Sequence, residues 1–120
     1  VHEQFLTETA EMADIVLPAT TFLEHNDFYT ASGHTFLQVT KKVIEPLAEA
    51  RSNHWVHCAL AKRLGAVHPG FGMGEWELID ATLRASGYPD AETMYAGHWH
   101  DIALPFEKAH FLDGFANPDG

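Results

Sequence analysis

An α/β fold, helix-rich and built around one short buried strand, is what this sequence predicts. Three observations carry the reading. Ile15-Val16-Leu17 after Asp14 is an apolar run stopped by Pro18, two later stretches place apolar residues at helical spacing, and glycine or proline closes each of them.

Taken in order, Thr7 to Ala13 reads as a short helical turn. Thr7 caps it and Glu8 sits in the first turn, where free N–H groups favour negative charge. The strand at about 14–17 reads as fully buried and, fed by a helix, suits a parallel sheet. Ala19 to His34 is rich in Thr, Asn, Asp, Ser and Gly and reads as a loop. Thr35 to Ile44 reads as an extended segment closed by Pro46. The clearest helix is expected at about 53–64, capped by Ser52 or Asn53, with Trp55, Val56, Ala59, Leu60 and Leu64 on one face. Lys62 and Arg63 complement its dipole and Gly65 ends it. A second helix, at about 75–86, carries Trp76, Ile79 and Leu83 on its buried stripe and stops at Gly87 and Pro89. Asp90 caps a third at about 90–96. Beyond Gly97 a loop is expected, anchored by Trp99, Phe106, Phe111 and Phe115.

One short strand does not make an independent sheet. The expectation is therefore a single partial domain over 1–120, part of a larger fold. Its strand-loop part is 1–50 and its helical part 51–97, and 98–120 is a loop leading toward a further C-terminal domain. The absence of an initiator Met and the turn-like Asn117-Pro118-Asp119-Gly120 support the same expectation.

The chain has 120 residues, 46% of them hydrophobic and 20% charged, which suits one soluble domain. No run approaches the roughly 18–20 apolar residues of a membrane span, so no membrane contact is expected. VHEQFLTETA lacks a signal pattern, so the expected compartment is the cytoplasm, with the periplasm as alternative. A net charge of −10 argues against nucleic acid as a partner. Residues 1–40 hold six acids (Glu3, Glu8, Glu11, Asp14, Glu24, Asp27) and no Lys or Arg, whereas Lys41, Lys42, Arg51, Lys62 and Arg63 cluster just after. An anion touching the first third must be met by backbone N–H groups, hydroxyls, imidazoles or groups from elsewhere. The single cysteine, Cys58, excludes an internal disulfide and reads as a small core residue.

Nine histidines raise the question of a metal site. His54 and His57 lie three apart on a helix and His98 and His100 flank Trp99. No His-Glu-x-x-His run is present, so surface or interface histidines are expected and no metal ligand is assigned. Ser32-Gly33-His34 lacks the nucleophile elbow, and Gly70, Gly72 and Gly74 do not form a dinucleotide fingerprint. No catalytic residue is assigned either. What stands out is the block Thr7 to Gln38, in which a strand delivers a polar loop. In open α/β sheets, ligands sit at the carboxyl ends of strands.

Thr7-Glu8-Thr9-Ala10-Glu11-Met12-Ala13-Asp14-Ile15-Val16-Leu17-Pro18-Ala19-Thr20-Thr21-Phe22-Leu23-Glu24 resembles a segment of the molybdopterin oxidoreductases, the superfamily of formate dehydrogenases, nitrate reductases and dimethyl sulfoxide reductases. The similarity continues through Ile44-Glu45-Pro46, Glu49-Ala50-Arg51-Ser52-Asn53 and Leu60-Ala61-Lys62-Arg63-Leu64-Gly65, and fades after Gly74. Asp113-Gly114-Phe115 with Pro118-Asp119-Gly120 resembles the family's approach to its last domain.

The resemblance implies a piece of a central cofactor-binding domain around a bis(molybdopterin guanine dinucleotide) cofactor carrying molybdenum or tungsten. The metal ligand, and any iron–sulfur cluster, would lie outside this stretch. Implied partners are the rest of the parent polypeptide and an electron-transfer subunit. Many relatives carry Asn-x-Glu-Gly-Arg where this chain has Thr30-Ala31-Ser32-Gly33-His34, so an imidazole replaces a bidentate guanidinium. Thr7, Thr9, Asp27, Ser32, Gly33 and His34 are the candidates for cofactor contact or support. The expected function is cofactor support in an oxidoreductase, the stretch alone being inactive. The alternative is a non-catalytic α/β binding or assembly module with an acidic surface.

Overall fold

The computed structural model describes residues 1–115 and 117, so the turn expected at Asn117 to Gly120 lies outside the described residues apart from Asn117. The core is made where a β-hairpin meets a helix pair. Strand β3 (Asp27–Ala31) pairs antiparallel with β4 (His34–Thr40), which pairs antiparallel with β5 (His100–Asp101), in the order β3-β4-β5. Alternation along β4 turns Leu37 and Val39 inward. They pack on Ile79 and Leu83 of α3 (Glu75–Ala85) and on Ala91 and Met94 of α4 (Ala91–Ala96), with Trp76, Tyr88 and Ile102 at the edge. The helix at 75–86 thus forms as expected and buries Ile79 and Leu83.

Asp80 ties the two helices together. It accepts from the Ala91 N–H at 2.9 Å and from Arg84 Nε at 2.8 Å, while Asp90 caps α4 by accepting from the Thr93 N–H. Lys41, just past β4, places its ammonium 4.6 Å from the ring centres of both Trp76 and Tyr95 and 2.8 Å from Glu92. The end of the hairpin is thereby held to both helices.

The remaining helix, α2 (Asn53–Leu64), starts at Ser52, whose hydroxyl accepts from the Trp55 N–H and donates to Glu75. It ends at Gly65, where φ of 68° is open to glycine at little cost. Its ends match the expectation and its face does not. Val56 and Ala61 are buried, while Trp55, Leu60 and Leu64 are exposed, Leu64 to 82%. The main neighbour of α2 is the single 3-10 turn Pro69–Gly72, too small to cover a full apolar stripe. Cys58, expected in the core, is half-buried, with its sulfur 3.6 Å from His54 Nε2.

Four further expectations are corrected. The strand at 14–17 shrinks to β2 (Leu17–Pro18), paired parallel with β1 (His2–Glu3), after the short helix α1 (Glu8–Glu11) that Thr7 caps. It is not buried, since Ile15 is 68% exposed. A parallel strand is buried only when helices cover its faces, and here none does. The supposed loop at 19–34 contains β3, and the extended segment ends at Thr40 rather than near Pro46. Finally, the stretch after Gly97 holds β5 and a short helix α5 (Phe106–Ala109). Among the described residues no helix is long and apolar enough to cross a membrane.

Glu24 staples the 19–24 segment to the 44–50 segment. Only 6% exposed, it accepts from the Thr21 N–H at 2.7 Å, the Thr21 hydroxyl at 3.0 Å and the Leu47 N–H at 2.6 Å. The backbone N–H of Thr21, then that of Leu47, holds its carboxyl below the usual glutamate value of 4.5.

Two outcomes follow from this packing. Leu83→Ala, at a side chain 2% exposed, is expected to cost about 2–5 kcal/mol, read by chemical denaturation. A loss under about 0.5 kcal/mol would place Leu83 outside the core. Because Glu24 titrates lower when folded, its contribution is present above the usual glutamate value and vanishes as pH falls through the depressed one. Thermal unfolding midpoints should therefore drop between pH 7 and 3, and Glu24→Gln should lower the midpoint at pH 7 while flattening that acid response.

Candidate functional site

Facing residues in an antiparallel pair share one side of the sheet. Asp27 pairs with Thr40 and Tyr29 with Gln38, so these four, with Phe36 and His34 by alternation, share the face opposite the core. Two cavities open on that face, and Tyr29 lines both.

The first, of about 440 Å³, lies at the carboxyl ends of β1 and β2, where strand geometry favours ligands. His2 and Gln4 come from β1 and its exit, Thr20 and His25 follow β2, Asp27 and Tyr29 belong to β3, and Asn53 opens α2. Parallel pairing brings these distant residues together. Leu17 N–H donates to Val1 O, Ala19 N–H to Glu3 O and Arg51 N–H to Pro18 O, at 2.8, 3.0 and 3.0 Å. His2 Nε2 then donates to the Arg51 carbonyl at 3.0 Å, and Nδ1 meets the Asn53 amide at 2.9 Å. Gln4 Nε2 donates to the Thr20 carbonyl at 2.9 Å.

Along the opposite wall the Thr20 hydroxyl lies 2.7 Å from His25 Nδ1, and His25 Nε2 lies 3.5 Å from Asp27. A hydroxyl, an imidazole and a carboxylate in line invite comparison with acyl-transfer triads. Thr20 is 4% exposed, however, and the His25–Asp27 spacing is long, so the row serves as a hydrogen-bonded wall. The phenol oxygen of Tyr29 is buried and, among the described residues, makes no well-formed hydrogen bond, the Thr40 hydroxyl being its polar neighbour. Burial, then the nearby Asp27 carboxylate, raises its pKa, so it keeps its proton and has a donor to offer.

The second cavity, about 280 Å³, is lined by Tyr29, Thr30, Ala31, His34, Phe36, Gln38 and Trp99. Neither cavity is lined by Lys or Arg. Their imidazoles, amides and hydroxyls fit the edge of a neutral or polar ring, and not the double charge of a pyrophosphate. Among the described residues no group of three or more His, Cys, Asp or Glu side chains could hold a metal ion.

Of the residues singled out from sequence, Asp27 lines the first cavity and His34 the second. Ser32 and Gly33 form the exposed two-residue tip of the β3–β4 hairpin, where a Cβ on Gly33 would meet open space. Thr7 accepts from the Ala10 N–H at 3.3 Å as the cap of α1, and Thr9 is exposed on α1. Neither lines these two cavities. Sequence reasoning missed His2, Gln4, His25, Tyr29 and Trp99. Only Tyr29 had a local signal, its alternation with Asp27.

The family model described as molybdopterin oxidoreductase matches residues 1–63. Probable oxidoreductase YoaE of Bacillus subtilis is 51% identical over 65 residues, 54% of this chain and 10% of that protein. Biotin sulfoxide reductase of Cereibacter sphaeroides is 40% identical over 134 residues, covering 100% of this chain and 18% of the relative. Among solved structures, acetylene hydratase from Pelobacter acetylenicus superposes with a TM-score of 0.68 at 29% identity, over 87% of this chain and 14% of that one. The chain thus spans between a tenth and a fifth of the length of these relatives. With more than half its length matched by the family's own pattern, this chain belongs to the molybdopterin oxidoreductases.

Proposed function

We propose that this chain is a cofactor-supporting part of an oxidoreductase that uses molybdopterin guanine dinucleotide, and that it supplies no metal ligand. The observation that carries the reading is the buried phenol of Tyr29, without a well-formed hydrogen bond among the described residues, between two cavities lined by neither Lys nor Arg. A buried donor without a partner costs about 1–3 kcal/mol, and a polar ring edge in either cavity would relieve it. Asp27, Tyr29 and His34 would hold such an edge, with Glu24 and the Thr20–His25 row fixing the wall behind them. When bound, the cofactor supplies two-electron chemistry at molybdenum or tungsten, and the protein around it binds and orients. The first third, without a single Lys or Arg, leaves the phosphates to other parts of the parent polypeptide.

The parent polypeptide is the first partner of this surface. An electron-transfer subunit is a further partner we infer for the whole protein, with any iron–sulfur cluster held elsewhere. The cytoplasm is the compartment we propose, in keeping with a free cysteine and no disulfide among the described residues. Curated relatives are named for sulfoxide and N-oxide reduction and the structural relative for hydration, a spread that supports a reaction set outside this stretch.

The test is the complete protein carrying this chain, assayed for pterin and for molybdenum or tungsten after purification. It should carry both. Asp27→Ala and Tyr29→Phe should each lower retained pterin roughly fivefold, as expected for one lost hydrogen bond of about 1 kcal/mol. Asp14→Ala, away from both cavities, should leave it unchanged. Equal losses in all three variants, or a wild type without pterin, would sink the proposal. The isolated 120-residue chain should show no redox turnover, checked by dye-linked assay.

A further inference from the structure

We propose that the cleft between the outer hairpin face and Trp99 binds a neutral, flat, fused heteroaromatic ring, with Trp99 and Phe36 as its apolar walls. The proposal relies on the preceding reading only for the ring's possible source in the cofactor. The ring itself is argued from this cleft.

The chain places Trp99 there firmly. Strand β5 pairs with β4 through Phe36↔Asp101 and Leu37↔His100, and the Thr35 hydroxyl donates to Asp101 at 2.6 Å. One residue earlier His98 adopts φ of 66°, a left-handed conformation that costs energy for a residue with a side chain. The Trp99 N–H donates to the Gly97 carbonyl at 2.8 Å, closing a tight turn. This turn does not bury the indole, which remains 60% exposed. It sets the Trp99 ring 4.8 Å from Phe36 at 62°, an edge-to-face pair at the side of an open cleft.

The cleft's chemistry selects the occupant. Its lining contains no Asp, Glu, Lys or Arg, which favours an uncharged ligand. Its volume of about 280 Å³ lies just under the range of about 300–1,000 Å³ for whole drug-sized ligands, leaving room for one fused ring system rather than a full nucleotide. Hydrogen-bonding groups rim the aromatic walls. His34 Nδ1 accepts from the Phe36 N–H at 3.1 Å, so in the neutral imidazole the proton sits on Nε2, free to donate. The Gln38 amide has no partner among the described residues, and the buried Tyr29 phenol borders the same space. Flat apolar walls with donors and an acceptor at the rim describe a site for a ring whose face stacks and whose edge bonds.

Such a ring has two sources, the cofactor or a substrate, and the experiment separates them. In the complete protein, Trp99→Leu removes the ring while keeping an apolar side chain, and Trp99→Phe keeps a flat one. Pterin and metal content is measured for each, together with affinity of the purified protein for quinoline N-oxide and for trimethylamine N-oxide as the non-aromatic control. If the ring is the cofactor's, Trp99→Leu loses about tenfold in pterin content. A substrate ring instead leaves content intact and weakens quinoline N-oxide about tenfold, with trimethylamine N-oxide unchanged. Either result, with Trp99→Phe close to wild type, supports the site. Less than twofold change in both readouts, or equal losses in the Leu and Phe variants, overturns it. A wild type lacking pterin would sink the cofactor proposal alone, because the quinoline N-oxide arm still tests the cleft.

Discussion

Strict two-residue alternation along β4 is the constraint on which everything else depends. Leu37 and Val39 must point at α3 and α4, which obliges Phe36, Gln38 and Thr40 to point the other way. Antiparallel register then brings Asp27 and Tyr29 onto that outer face. Core packing and ligand-facing chemistry are thus two sides of one pleated ribbon. Sliding the register by one residue would bury the polar face and expose the apolar one.

Among the described residues the outer face of the hairpin carries one carboxylate, Asp27, and neither Lys nor Arg. All seven Lys and Arg of this acidic chain lie at or after Lys41, and those near the hairpin are committed to local work: Lys41 to Glu92 and two aromatic rings, Lys42 to Glu45. What remains beside the Asp27 carboxylate is imidazole, amide, hydroxyl and phenol, groups whose hydrogen bonds depend on direction more than on field. The cofactor contact proposed for this face would leave any counter-charge for phosphates to other segments. Thr30-Ala31-Ser32-Gly33-His34, with no guanidinium, makes the same point at the hairpin tip.

The helices were legible because their signals are local. Ser52, Gly65 and Asp90 are capping or stopping residues at fixed offsets from apolar positions, and α2, α3 and α4 begin and end close to where those signals fall. Of the hairpin, β4 fell largely within the extended segment expected at 35–44, whereas β3 was not legible, because Asn26, Asp27, Thr30 and Ser32 are turn formers by composition. The strand geometry of Asp27 and Thr30 comes from pairing with β4, whose Leu37 and Val39 are fixed in the core. Burial was misread at Ile15 and Leu64, where apolar patterning reports what a residue would bury against and not whether that surface is present. Of the site, Asp27 and His34 were found by loop position. His2, His25 and Asn53 converge only through parallel pairing of His2–Glu3 with Leu17–Pro18, a contact with no trace in residue spacing.

Lys41 gives the hairpin an uneven mechanical character. Its ammonium grips the ribbon at the base, between Trp76 and Tyr95, whereas Ser32 and Gly33 at the far end stand in solvent with nothing near the glycine. The ribbon is therefore a cantilever, clamped at the root and yielding at the tip. Whatever it meets along its length is held to a fixed ruler near Asp27 and to a compliant fingertip near His34.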